Sequence, residues 1–199
     1  MKIIILVASS FLTAVGFSQV TVKDSTLQYE IQLPSKWHVS NVDIGELTMT
    51  SPAENILDAF IESINVSVIP KGISLEEHNE QHIKSAYKDD IGFRGFRLIG
   101  YKLTTINGKR ATINQERFHD GSRMLDIFLV TIEGKYFFYQ IVCASISGRF
   151  PEHKSNFERV INTFKIDESK FDQATVNTVA KRLGIPLNDI PKVPERPDN

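Results

Sequence analysis

The distribution of apolar and polar residues predicts an antiparallel sheet in the second half of the chain. Three dipeptides favour tight turns: Asn107-Gly108, Asp120-Gly121 and Glu133-Gly134. They separate segments that are rich in β-branched and aromatic residues: RLIGYKLTTI, RATINQERFH, SRMLDIFLVTI and KYFFYQIVCAS. We therefore expect a four-stranded meander joined by two-residue hairpin turns.

Such turns would also fix the pairing of the strands. They place Ile113 opposite Phe128, and Phe128 opposite Tyr139. Alternation then assigns one face to Leu103, Phe118, Leu125, Ile127, Leu129, Phe138 and Val142, and the other to Ala111, Ile113, Met124, Phe128, Val130, Phe137, Tyr139, Ile141 and Cys143. Because the last two strands are apolar on both faces, we expect a helix to cover each face.

Helical patterns on both sides of the meander supply the covers. The segment Ser74–Asp90 begins with a capping box formed by Ser74 and Glu77, and its inner face would contain Leu75, Ile83, Ala86 and Tyr87. The other predicted helices are Phe150–Phe164 and a weaker one over Asp172–Leu183, which Gly184 ends; earlier strands are Leu27–Leu33, Glu46–Ser51 and Ser63–Ile69. The predicted fold class is α+β, a helix–sheet–helix sandwich on a mostly antiparallel sheet.

The N-terminus has the pattern of an export signal. Lys2 is followed by the apolar run Ile3–Phe17, and the small residues Gly16 and Ser18 predict cleavage after residue 18. An uncleaved anchor helix is the alternative. The one cysteine of the chain, Cys143, is far from this point, so we expect no lipid anchor and a secreted or periplasmic protein.

The predicted domain spans residues 19–166, followed by a C-terminal helical segment over residues 167–184. Residues 185–199 contain four of the eight prolines of the chain, a composition that favours an extended tail. Between those prolines lie the apolar residues Ile185, Leu187, Ile190 and Val193. We expect the domain to fold without this tail and the tail to contribute to partner binding.

Charge and cysteine content exclude several classes of protein. Among 199 residues, 23 are basic and 24 are acidic, which argues against a nucleic-acid-binding protein. A single cysteine cannot form an internal disulfide, and Cys143 lies in an apolar strand where a buried, inert thiol is expected. The sequence contains no nucleophile elbow, phosphate-binding loop or dinucleotide fingerprint, so no catalytic residue and no cofactor is predicted.

Three groups of residues are candidates for binding. Trp37 follows Pro34, which ends the first strand; it is predicted to anchor the rim or core, and stacking on a ligand is the alternative. His78 and His82 share one helix face and could bind a metal, but a solvated polar face is the other interpretation. The third group is a polar patch on the sheet, with Gln115 predicted opposite Asp126 and Arg117 diagonal to it; this patch is either a salt bridge at the sheet end or part of a cleft.

The order of the elements resembles a known superfamily. The segments LPSKW, SINVSVIP, TINGKRATINQERFHDG, YFFYQIVCAS and VINTFKI, with a capped helix after the second, resemble the PsbP-like/DcrB-like superfamily, which shares its fold with the Mog-type Ran-binding protein. The resemblance covers roughly Leu27 to Ile166. It implies an antiparallel sheet between helices and a mostly non-enzymatic group of accessory and binding proteins, with no catalytic residues to transfer.

The leading hypothesis is therefore an exported, non-enzymatic protein that binds another protein or an envelope complex. One alternative is a metal-binding protein or enzyme that uses His78 and His82. The other is a carrier of a small apolar ligand with a cavity beside Trp37.

Overall fold

A computed structural model of the chain describes residues 20–43, 46–53, 60–88, 92–190 and 192. The predicted signal peptide lies outside these residues, as does the end of the predicted tail. The described strands are β1 (Val20–Asp24), β2 (Tyr29–Leu33), β3 (His38–Asp43), β4 (Glu46–Thr50), β5 (Ser63–Pro70), β6 (Arg94–Ile106), β7 (Lys109–His119), β8 (Met124–Glu133), β9 (Phe137–Ile146) and β10 (Lys165–Ile166). The α-helices are α1 (Leu75–Tyr87), α2 (Phe150–Thr163) and α3 (Gln173–Arg182), and short 3₁₀ helices span Glu168–Lys170 and Leu187–Asp189.

Helices cover both faces of a seven-stranded antiparallel sheet, which confirms the predicted α+β sandwich. The strand order is β3-β4-β5-β9-β8-β7-β6, and β1, β2 and β10 form a separate three-stranded sheet that the sequence did not predict. On one face, which we call the α1 face, Asn79 of α1 accepts a hydrogen bond from Asn114 of β7. On the other, the α2 face, the rings of Phe150 and Phe128 pack edge to face. In the described residues, no helix is long and apolar enough to span a membrane.

The first predicted hairpin turn is confirmed. Asn107 and Gly108 form a two-residue turn in which Ile106 pairs with Lys109. Their φ angles of 46° and 80° are those that a type I′ turn requires. Asn and Gly tolerate these angles better than other residues, which explains why this dipeptide identified the turn correctly.

The other two turns are four-residue loops, so the predicted pairings are wrong. His119 pairs with Met124 and Glu133 with Phe138, which places Ile113 opposite Val130 and Phe128 opposite Cys143. In the first loop the Asp120 carboxylate accepts hydrogen bonds from the backbone N–H groups of Ser122 and Arg123, at 2.7 and 2.8 Å. Both observed pairings differ from the predicted ones by an even number of residues. Because side chains alternate with a period of two, the predicted faces remain correct.

Gly134 is required by close approach of neighbouring atoms rather than by the predicted turn type. A Cβ atom at this position would lie 2.7 Å from Oε1 of Glu168 and 2.7 Å from the Phe137 carbonyl oxygen. Glu168 in turn accepts hydrogen bonds from the backbone N–H groups of Lys135 and Tyr136, at 2.7 and 3.3 Å. The loop before β9 is therefore closed by a carboxylate from the C-terminal segment.

The main core lies between the α2 face, α2, the small sheet and α3. Its C-terminal members include Val176, Val179, Ile185 and Ile190. Ile185 and Ile190 are 6% and 9% exposed, so residues 185–190 are not the detached tail that the proline content predicted. A second, smaller cluster on the α1 face contains Phe118, Leu125, Ile127, Leu129 and Ala144.

Local hydrogen bonds explain why the chain turns back at this point. Gly184, with φ of +69°, ends α3 as predicted. Its N–H donates to the Lys181 carbonyl, and the Ile185 N–H donates to the Ala180 carbonyl at 2.9 Å. This is the pattern of a Schellman motif, which directs the next apolar residue back toward the helix and here buries Ile185.

Candidate functional site

The outer strand β6 forms one edge of the large sheet. It pairs with β7 on one side and is the last strand in the sheet order, so no strand that the structure describes pairs with its other edge. Its sequence, RGFRLIGYKLTTI, contains Arg94, Arg97 and Lys102 and no acidic residue. None of these three makes an ion pair with a residue that the structure describes. We call this other edge of β6 the open edge; the strand that forms it carries a local excess of positive charge.

Large apolar side chains are exposed along the same strand. Tyr101 and Leu103 pair with Asn114 and Thr112, which places them on the α1 face. They are 48% and 49% exposed, and Ile99, in a bulge just before them, is 48% exposed.

Tyr87, at the end of α1, extends this apolar area. Its side chain is 61% exposed, and its hydroxyl accepts a weak hydrogen bond of 3.4 Å from the Leu98 N–H. We call Tyr87, Ile99, Tyr101 and Leu103 the outer-strand surface. Large exposed apolar residues grouped along one strand are typical of interaction sites.

An open groove of about 390 Å³ lies on the other face of β6, between that strand and α2; we call it the α2 groove. Lys102 lies on the strand side of the groove and Lys154 on the helix side, while Ile113 and Phe128 contribute apolar surface. The Lys154 ammonium lies 5.9 Å from the centre of the Phe128 ring, a cation–π contact. Of the described residues that line the groove, Glu158 is the one acid. The remaining lining residues are Gly100, Tyr101, Thr104, Thr105, Ile106, Gln115, Ile161 and Asn162.

Of the predicted polar patch, only Gln115 lines this groove. Gln115 lies opposite Phe128 in the sheet, and Arg117 lies directly opposite Asp126. The predicted pairing, with Gln115 opposite Asp126, is therefore wrong by two residues. Arg117 donates two hydrogen bonds to the Asp126 carboxylate, at 2.6 and 2.8 Å, and Ser147 donates a third at 3.2 Å. The hydrogen bond with Asp126 raises the pKa of Arg117 above its usual value. Arg117 and Asp126 thus form the salt bridge that was one of the two interpretations.

Trp37 lies in the main core. It is 8% exposed, and its ring meets Phe157 of α2 edge to face with 6.2 Å between ring centres. The backbone N–H of Trp37 donates to the Pro34 carbonyl, closing the turn that follows β2. This packing agrees with the anchor interpretation. Trp37 is not among the residues that line the α2 groove.

His78 and His82 share a helix face as predicted, but that face is turned toward the sheet rather than solvent. The Nε2 atom of His82 lies 2.9 Å from Oε1 of Glu116, a residue of β7 whose side chain is fully buried. The Nε2 atom of His78 lies 3.2 Å from the Gln140 amide nitrogen. Burial, and to a smaller extent the nearby His82, lower the pKa of His78 below its usual value. The solvated-face interpretation is therefore wrong.

Beneath α1 these contacts extend into a buried polar cluster that the sequence interpretation missed. Asn114 donates to Asn79 at 2.8 Å and to Glu116 at 2.9 Å. Two atoms of the cluster, Oδ1 of Asn114 and Oε2 of Glu116, are buried and have no hydrogen-bond partner among the described residues. Asn114 and Glu116 are two residues apart in β7, so alternation alone could have placed both on the face that α1 covers. In the part of the chain that the structure describes, no group of three or more His, Cys, Asp or Glu side chains is arranged to hold a metal ion.

Comparison with known proteins identifies the fold. No protein-family model matches the sequence, and no curated protein matches it. The structure is similar to cyanobacterial PsbP (CyanoP) from Synechocystis, with a TM-score of 0.56 and 17% identity over 79% of this chain and 98% of that chain. It is also similar to the Saccharomyces cerevisiae Ran-binding protein Mog1p, with a TM-score of 0.55 and 13% identity over 78% and 100% of the two chains. A third neighbour is LpqN of Mycobacterium tuberculosis, described as involved in cell envelope biogenesis, with a TM-score of 0.52 and 11% identity over 69% and 82%.

The chain has a PsbP/Mog-like fold. This agrees with the resemblance derived from the order of the sequence segments. At these identities the similarity establishes the fold, and the function has to be inferred from the surfaces of this chain.

Proposed function

We propose that this chain is an exported protein without catalytic activity that binds another protein or an envelope complex. The observation that carries the proposal is the outer-strand surface, where Ile99, Tyr101 and Leu103 are each about half exposed beside Tyr87. Scattered exposed apolar residues need no explanation, but a contiguous group along an open sheet edge favours an interface.

The comparisons and the sequence support the same class of function. One structural neighbour is described as Ran-binding and another as involved in envelope biogenesis. The apolar N-terminal run and the residues Gly16 and Ser18 support export. The lack of a recognised catalytic motif in the sequence agrees with a binding role.

The test of binding compares two edges of the same sheet. The protein would be cross-linked to its partners in the native envelope fraction, and the captured proteins identified by mass spectrometry. We expect the double variant Tyr101→Ser, Leu103→Ser to lose the specific partner. The matched control, Val39→Ser with Val42→Ser, changes two exposed residues of the opposite edge strand and should retain it. Equal capture by both double variants would contradict the proposed surface.

Export is tested separately by the intact mass of the protein from that fraction. The expected mass lacks residues 1–18. A mass that includes Met1 would contradict cleavage of the signal peptide.

A further inference from the structure

We propose that the open edge of β6 binds an extended segment of a partner protein in which acidic and apolar residues alternate, and that this segment adds to the sheet as a further strand. The inference rests on the proposed function and specifies the chemistry of the partner. Three properties of β6 lead to it: a regular backbone, two chemically different faces, and a charge that excludes the simplest alternative partner.

The backbone of β6 provides a regular template. Two bulges interrupt its pairing with β7, between Arg94 and Arg97 and between Leu98 and Gly100. From Gly100 to Ile106 every residue pairs with β7 without interruption. In this stretch the N–H and C=O groups that face away from β7 are the ones that an added strand would bind.

The side chains of this stretch alternate in character. Tyr101 and Leu103 lie on the α1 face, where they are about half exposed. Lys102 lies on the α2 face and lines the α2 groove, with Lys154 on the opposite wall. An added strand alternates in the same way, so its residues beside Tyr101 and Leu103 would be apolar and those beside Lys102 would be acidic.

The charge of β6 argues against a second copy of this chain as the occupant. Antiparallel pairing of two β6 strands would bring together segments that each carry three cations and no acid. Like charges placed opposite each other destabilise strand pairing. The other edge strand, β3, is only six residues long and is interrupted by a bulge between Val39 and Asn41. It is therefore a poorer partner for the regular stretch of β6.

The probe is a short fluorescent peptide in which valine alternates with glutamate. Control peptides have the same composition with the valines and glutamates in separate blocks, or lysine in place of glutamate. Binding to the full chain would be followed by fluorescence anisotropy at low and high salt, and amide hydrogen exchange of β6 would be recorded with and without peptide. Lys102→Glu is compared with Lys181→Glu, which makes the same charge change at an exposed position of α3.

We expect the alternating peptide to bind more tightly than both controls, and more weakly as salt increases. Its binding should slow exchange of the β6 amides that are not bonded to β7. Lys102→Glu should weaken binding about tenfold, the size expected when a favourable cross-strand pair becomes repulsive, and Lys181→Glu should have little effect.

Three results would overturn the inference. Equal binding of the alternating and block peptides would mean that β6 does not recognise the alternation of apolar and acidic residues. Binding without protection of β6 amides would mean that the peptide docks elsewhere. A concentration-dependent dimer that protects the same amides in the absence of peptide would identify a second copy as the occupant. Each of these leaves the envelope cross-linking result unchanged, so failure here is distinguishable from failure of the proposed function.

Discussion

Replacing Ile190 by alanine should destabilise the domain, although its proline-rich surroundings predict an extended tail. Ile190 is 9% exposed and belongs to the main core. Truncation of a buried isoleucine to alanine costs about 2–5 kcal/mol, and we expect the lower end because Ile190 still has some exposed surface. For a domain of this size, about 2 kcal/mol corresponds to a decrease in melting temperature of roughly 4–8 °C.

Leu187 provides a matched control within the same segment. It is 52% exposed, so Leu187→Ala should change the free energy of unfolding by less than about 0.5 kcal/mol. Both variants would be measured by urea and thermal denaturation, followed by far-ultraviolet circular dichroism. If Ile190→Ala were no less stable than Leu187→Ala, the burial of Ile190 would contribute nothing, and the segment would behave as the detached tail that its composition suggested.

Three further changes test other parts of the structure. Gly134→Ala should cost about 1–3 kcal/mol in urea denaturation because the new methyl group would meet the backbone carbonyl of Phe137 as well as Glu168, and unchanged stability would mean that the loop moves aside at no cost. The lowered pKa of His78 means that the unfolded chain takes up a proton at a higher pH than the folded chain, so stability should fall from about pH 7 toward pH 5. His78→Gln should reduce this dependence of stability on pH, and an unchanged dependence would mean that other groups cause it. Glu116→Ala should cost about 1–3 kcal/mol because it removes the partner of His82, whereas Glu116→Gln, which keeps the shape, should cost less; equal losses would show that the charge itself is required.

The alternation of apolar residues was sufficient to predict the layers of the fold. It assigned Phe118 and Leu129 to one face and Ile113 and Phe128 to the other, and both assignments are confirmed. The pairing failed because turn length depends on side-chain hydrogen bonds that the dipeptide alone does not reveal. At Asp120 the carboxylate binds two backbone N–H groups and stabilises a loop of four residues instead of a turn of two.

Contacts between distant segments could not be predicted either, because they too depend on side-chain hydrogen bonds that the local sequence does not reveal. Glu168 binds the backbone of Lys135 and Tyr136, more than thirty residues earlier, and no local pattern marks it. The pairing of Arg117 with Asp126 was predicted within two residues because both lie in adjacent strands of one hairpin. Local propensity and period thus predict elements and faces, while long-range polar partners require the folded structure.

The exposure of the outer-strand surface follows from the path of α1 across the sheet. His78 near the start of α1 contacts Gln140 of β9, and His82 contacts Glu116 of β7. Tyr87 at the end of the helix contacts Leu98 of β6, so α1 reaches β6 only in its first half, and Tyr101 and Leu103 further along the strand remain about half exposed. Leu103 was correctly assigned to the α1 face, but the alternation of side chains does not reveal how far α1 extends over the sheet. Tyr101 and Leu103 have the pattern of core residues on a strand that no helix fully covers, and a protein partner that supplies the missing cover would make that pattern consistent with the rest of the sheet.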